Sequence, residues 1–328
     1  MVERALGCNP ISAENRRRQA ARIAGASSFT TRVWREDGEP GTFAWDGAFE
    51  DVLDRRTKLC DAWRDAGICL FPWRILDALP EKRTLTRRFY WNQGSIPSCS
   101  MHGAMHSAQA SMLTDIAFGA PRRYDALNPI YPFYIARGEN LAGGLDLAET
   151  ADQLNRFGAY PASEVGEDNT HAPRDWRRFT DCAQQRQAAV IYLEWDLVEK
   201  IFRAARAGFH VTFGSGVYYN SARTDENGVK ILHSVGYGGH AQSLGSWRKV
   251  RGTEYVFLTN SWGDVYGSSD EEEPASGGWL DRDGLAPLAR SMANYGAPFI
   301  ALYENPAAAQ PDSILENLNI PFPEHWKE

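Results

Sequence analysis

The chain is 328 residues long, with 43 % apolar and 23 % charged residues and a formal net charge of −7. That length allows one large domain or two ordinary ones, and the composition is globular rather than disordered. The acidic balance excludes a broad nucleic-acid-binding surface, and no apolar run reaches the roughly eighteen residues of a membrane span.

Residues 1–18 carry charges without an apolar segment, so no secretory leader is expected and the reading is intracellular, in the cytoplasm or in a virion. Residues 1–45 read as an extended, Arg-rich arm with one short helix at most. Asp46 can cap a helix over 47–66, because Phe49, Val52, Leu53, Leu59, Cys60 and Trp63 share a face and Gly67 ends it. Residues 72–90 read as extended or looped. The small-residue run from Cys99 to about Phe118 reads as a buried helix, stopped by Gly119 and Pro121. Further helices are expected over about 146–157 and 194–207, ended by Gly158 and Gly208. After Gly208 the period changes, and 209–217, 240–247, 255–259 and 298–303 read as strands. Helices first and strands second imply an α+β chain. The acidic stretch 268–276 reads as a solvated loop, and 305–328 as a Pro-containing tail.

The five cysteines (Cys8, Cys60, Cys69, Cys99 and Cys182) are odd in number and scattered, without a Cys-X-X-Cys pair. Neither a disulfide framework nor a thiolate metal site is expected, and four of the five read as buried filler. Cys99 reads differently. Asn92-Gln93-Gly94-Ser95-Ile96-Pro97-Ser98-Cys99 stands where a loop becomes a helix, Gly238-Gly239-His240-Ala241 opens a strand, and Asn260-Ser261-Trp262-Gly263 closes the next. A helix N-terminus and a nearby imidazolium both stabilise a thiolate. An amide such as Asn260 can orient the imidazole. Gln93, six residues before Cys99, can join the Cys99 N–H in an oxyanion hole.

At these residues the chain resembles the papain-like (C1) cysteine peptidases. That family carries Gln-Gly-Ser-Cys-Gly-Ser-Cys-Trp around its nucleophile, and Gln93, Gly94, Ser95, Ser98 and Cys99 agree with it. Gly-Gly-His-Ala and Asn-Ser-Trp-Gly look like its His and Asn motifs, in the same order. Gly143-Gly144 is similar to the segment lining its substrate cleft, and Asn128-Pro129 through Tyr134 to its second helix. The resemblance covers about 75–304 and implies a two-lobed α+β fold with an N-terminal extension. It implies Cys99 as nucleophile, His240 as base and acid, Asn260 as orienter and Gln93 as oxyanion donor. Gly143 and Gly144 would meet the substrate, with Trp262 covering the His–Asn bond. His233 competes for the base role, but Asn260 lies twenty residues after His240 and twenty-seven after His233, which favours His240.

Three departures bear on the substrate floor and redox state: Ile96 for a disulfide cysteine, with an apolar residue also near Leu141; Pro97 for glycine; and Ser100 for tryptophan. Ile96 is expected to pack near Leu141. The expected organisation is an extension over 1–74, a catalytic domain over 75–304 and a tail over 305–328. The expected activity is a weak or latent peptidase acting on peptides or proteins, with no cofactor or metal and no membrane or nucleic-acid partner. Residues 1–45 and 305–328 would offer protein contacts. The alternatives are a structural or binding component of a large assembly that keeps the fold without activity, and a cell-wall amidase, which the Gln93 offset and the Asn-Ser-Trp-Gly segment oppose.

Overall fold

In the computed structural model, residues 8–26, 42–65, 71–78, 92–118, 124–138, 143–166, 187–194, 196–263 and 277–304 are described. The elements run α1 (Ala13–Ala24), β1 (Thr42–Ala44), α2 (Gly47–Asp65), α3 (Pro72–Ala78), α4 (Cys99–Ala117), β2 (Leu127–Asn128), α5 (Ile130–Arg137), α6 (Leu147–Phe157), β3 (Tyr160–Pro161) and α7 (Ala162–Val165). They continue β4 (Gln187–Tyr192), α8 (Leu197–Arg206), β5 (Val211–Thr224), β6 (Lys230–Val250), β7 (Thr253–Thr259), β8 (Gly277–Leu280), α9 (Arg282–Met292) and β9 (Phe299–Glu304). The chain is α+β, as its order of periods implies.

A seven-stranded sheet has the order β1-β4-β9-β5-β6-β7-β8. Its centre is the long β5–β6 hairpin, in register from Val211↔Leu244 through Ser215↔His240 to Thr224↔Lys230, with a bulge between Ser215 and Val217. His240 therefore sits inside a strand rather than at its start. β7 continues antiparallel to β6, with Ser243 opposite Thr259, and its end delivers Asn260 beside the site.

Helix α4 is buried on nearly every side. Its Ala, Ser and Gly residues let the sheet approach closely: a Cβ at Gly103 would stand 2.9 Å from the Gln242 carbonyl oxygen. Two of its hydroxyls bond to backbone, with Thr114 Oγ1 donating to Ala110 O at 2.9 Å and Ser107 Oγ accepting from Ala301 N at 2.9 Å. One apolar cluster joins α4 to α5 and α6 through Met101, Leu113, Phe133 and Leu154. A second, on the other side of the sheet, holds Phe49, Leu53, Ile201, Phe202, Phe213 and Leu288.

The described residues of the expected arm, 8–26 and 42–45, are built into this body. Helix α1 lies on α6 with an Arg22–Asp152 ion pair at 2.5 Å. Strand β1 adds to the sheet edge parallel to β4, and α2 packs on α8 with Arg206 bonded to Asp61 at 2.5 Å. Helix α2 starts as expected, with Asp46 Oδ1 accepting from Phe49 N at 3.0 Å. Part of the stretch read as extended or looped is the short helix α3, which begins with Pro72 at its first position, where no intrahelical N–H is needed. Cys8, Cys60 and Cys99 are buried and not disulfide-linked. Cys69, Cys182, Leu141 and the 268–276 and 305–328 segments lie outside the described residues.

Candidate active site

The loop before α4 is tied to the segment after β7. Gln93 N donates to Ser261 O at 2.8 Å, and Asn92 bridges Trp262. Gly94 takes φ 57°, a left-handed conformation that suits glycine, with its N–H on Asn92 Oδ1 at 3.0 Å. Pro97 then fixes the approach to Ser98 and the helix start. Cys99 is the first helical residue, so the aligned peptide dipoles of α4 point their positive end at its sulfur. Ala241 N donates to Cys99 Sγ at 3.4 Å, which sets the thiol against the strand that carries His240.

His240 Nε2 lies 2.7 Å from Asn260 Oδ1. That oxygen also accepts from Ser261 N at 2.8 Å, so it is the acceptor and the imidazole donates through Nε2. The lone pair is then on Nδ1, which is buried and without a hydrogen-bond partner among the described residues. Trp262 stacks on the imidazole with centroids 4.6 Å apart and planes 19° apart, covering the His240–Asn260 bond. Burial brings His240 down to about 4 against the opposing pull of the Asn260 bond, so the ring is neutral near neutral pH.

Gln93 is fully buried and clamped at both ends of its amide. Nε2 donates to Ile96 O at 2.9 Å, and Oε1 accepts from Ser261 Oγ at 2.5 Å. Ser261 thus holds the Gln93 amide, a contact the motif reading did not assign. His233 is opposite Ser221 on the outer half of the hairpin. Seven residues of strand separate it from His240, about 20 Å. His102, one turn beyond Cys99, has Nδ1 3.0 Å from Ser98 O, and burial lowers it to about 4. His210 accepts from Ser246 N at 3.2 Å and is lowered by burial to about 3.

Residues 8–11 cross the site, an arrangement the sequence did not suggest. Cys8 N donates to Gly239 O at 3.3 Å, next to His240. Asn9 N donates to Leu145 O at 3.4 Å, and Asn9 Nδ2 to Gly144 O at 2.7 Å. Gly143, at φ 84°, faces the Asn9 amide. Ile11 N reaches Asn294 O at 2.9 Å, and Asn15 Nδ2 reaches Asp146 Oδ2 at 2.8 Å. This strap connects the Gly143–Leu145 segment with the strand bearing His240, and Cys99 beneath it is fully buried. Among the described residues no His, Cys, Asp and Glu group could hold a metal ion, and no helix is long and apolar enough to cross a membrane.

No family model matches the chain, and no curated protein matches it. The solved structures that match include papain-like cysteine proteases. Digestive procathepsin L 3 of the Tenebrio molitor larval midgut is 13 % identical, with TM-score 0.42 over 65 % of each chain, so the match spans just under two-thirds of that protein. Procathepsin B S9 from Trypanosoma congolense is 12 % identical, with TM-score 0.43 over 66 % of this chain and 72 % of that one. Bromelain from Ananas comosus, solved with the E64 inhibitor, is 15 % identical, with TM-score 0.42 over 74 % of this chain and 97 % of that one.

Proposed function

We propose that the chain is a thiol hydrolase that cleaves peptide bonds through an acyl-enzyme and is held latent by residues 8–11. The observation that carries this reading is the Cys99 sulfur at the head of α4, 3.4 Å from the N–H of Ala241, the residue that follows His240, whose imidazole is bonded to Asn260 at 2.7 Å. His240 takes the Cys99 proton on Nδ1, the thiolate attacks the substrate carbonyl, and the Gln93 amide with the Cys99 N–H stabilises the oxyanion. His240 returns the proton to the leaving amine and then takes one from the water that deacylates the enzyme. Asn260 holds the ring in the working tautomer throughout. Burial favours the neutral His240 imidazole and so opposes its charged form, which supports latency.

Residues 42–65 supply an edge strand and a packed helix, so substitution tests the strap better than truncation. A Cβ at Gly239 would lie 2.1 Å from the Cys8 carbonyl oxygen, so Gly239→Ala displaces the strap. An epoxide-type thiol-protease inhibitor should label Cys99 about ten-fold faster or more in this variant, and not at all in Cys99→Ala. His240→Ala should abolish alkylation at low pH, and His233→Ala should leave it intact. An unreactive Cys99 in both the unmodified chain and Gly239→Ala would favour the alternative, a structural or binding protein with little or no activity.

A further inference from the structure

Cys8 has no part in acyl transfer, yet its thiol is placed against the same rung of the β5–β6 ladder as Cys99. A Cβ at Gly214 would meet Cys8 Sγ at 2.8 Å. Gly214 is the cross-strand partner of Ala241, whose N–H reaches Cys99 Sγ at 3.4 Å. Both thiols are buried, and the Cys8 backbone is held two residues away on the same strand by its bond to Gly239. The pair is close enough for charge on Cys99 to raise the Cys8 thiol, which burial already raises.

We infer that Cys8 and Cys99 are a redox pair whose disulfide locks the strap across the site. This rests on the reading of Cys99 as the nucleophile. A bridge requires Cα atoms within about 7 Å. Cys99 is fixed in the buried helix α4, so the adjustment falls to the strap, a stretch outside any helix or strand.

The oxidant is a small-molecule disulfide, RSSR. When the strap lifts, the Cys99 thiol loses its proton to solvent and the thiolate attacks one sulfur of RSSR, forming the mixed disulfide Cys99–S–SR and releasing RS⁻, which takes up a proton in its place. The Cys8 sulfur then attacks the Cys99 sulfur and expels the second RS⁻, which takes the Cys8 proton. Two electrons pass from the protein thiols to RSSR, and two small thiols leave. A dithiol reverses the sequence, opens the lock and restores the nucleophile.

The test uses the full chain incubated with oxidised glutathione and mapped by non-reducing peptide mass analysis. The expected product is a Cys8–Cys99 linked peptide, with iodoacetamide labelling of Cys99 about ten-fold lower or less, restored by dithiothreitol. Cys8→Ser should carry glutathione on Cys99 and no internal link, and Cys60→Ser should keep the Cys8–Cys99 link. The inference is overturned if the unmodified chain holds glutathione on Cys99 without the link, links Cys99 to another cysteine, or does not react with the oxidant. A link that forms in a protein whose reduced Cys99 gains nothing from His240 would refute the acyl-transfer reading and leave the redox pair standing.

Discussion

Lowering the pH from 7 to 5 should remove a large part of the folding free energy, and histidines rather than carboxylates should be responsible. His102, His210 and His240 are fully or almost fully buried, and burial lowers them to about 4, about 3 and about 4. In the unfolded chain an imidazole titrates near 6.5. The folded value lies below the unfolded one, so the unfolded chain gains protons first, and stability present above pH 6.5 is lost on acidification towards the folded values. Each neutral ring costs about 1.4 kcal/mol per pH unit in that window, roughly 2 kcal/mol between pH 6.5 and 5, and about 6 kcal/mol for three. That is comparable to the whole stability of an ordinary domain, about 5–15 kcal/mol. Glu149 and Asp152, raised by burial, act with the opposite sign and return part of the loss. Asp225 and Glu254, lowered by their hydrogen bonds, add to it only where unfolded carboxylates protonate, below about pH 4.5. Urea unfolding followed by tryptophan fluorescence at pH 7, 6 and 5 reads the loss directly. His210→Asn should reduce its steepness by about a third, because that ring titrates outside the candidate site. A midpoint that does not move between pH 7 and 5 would refute the claim that these rings fold neutral.

Trp262→Ala should let water reach the His240–Asn260 bond and raise the His240 titration from about 4 towards 6.5, read by NMR of the ring; an unchanged titration would count against the shielding role. Gly245→Ala places a Cβ 1.9 Å from the His210 ring, so about 3 kcal/mol or more of stability should be lost, measured by urea midpoint. Asp146→Ala removes the capping box of α6 and the acceptor for Asn15, and should cost about 1–2 kcal/mol by the same measurement.

What could be read from the sequence was whatever local pattern determines. Helix α2 was legible because its apolar stripe and the Asp46 cap agree with one another, and α4 because a long run of small residues follows Cys99. The site motifs were legible because each holds its chemistry within a few consecutive residues. The outer halves of β5 and β6 were missed because charged, exposed positions such as Arg223 and Lys230 interrupt the apolar alternation there. Helix α9 was missed because Gly284 and Pro287 break its period, although Asp281 caps it by accepting from Gly284 N at 2.7 Å. β4 lacks the Gly and Asn punctuation that marked the other strands. The strap had no signal at all. Its hold on the body runs through backbone groups and one Asn9 amide to residues more than a hundred positions away, and no local period records such contacts.

The burial of α4 has an energetic consequence for the thiol at its head. Amides of a helix enclosed by the sheet and other helices exchange with solvent only when most of the molecule opens, whereas the strap, outside any helix or strand, gives up only the Cys8 contacts with the first apolar cluster when it detaches. Cys99 thus sits on an element that opens only with the body of the protein, while its cover is held by far fewer contacts. The rate at which a reagent finds Cys99 is then a measure of the strap's local opening equilibrium, separable from global unfolding by its weak dependence on denaturant.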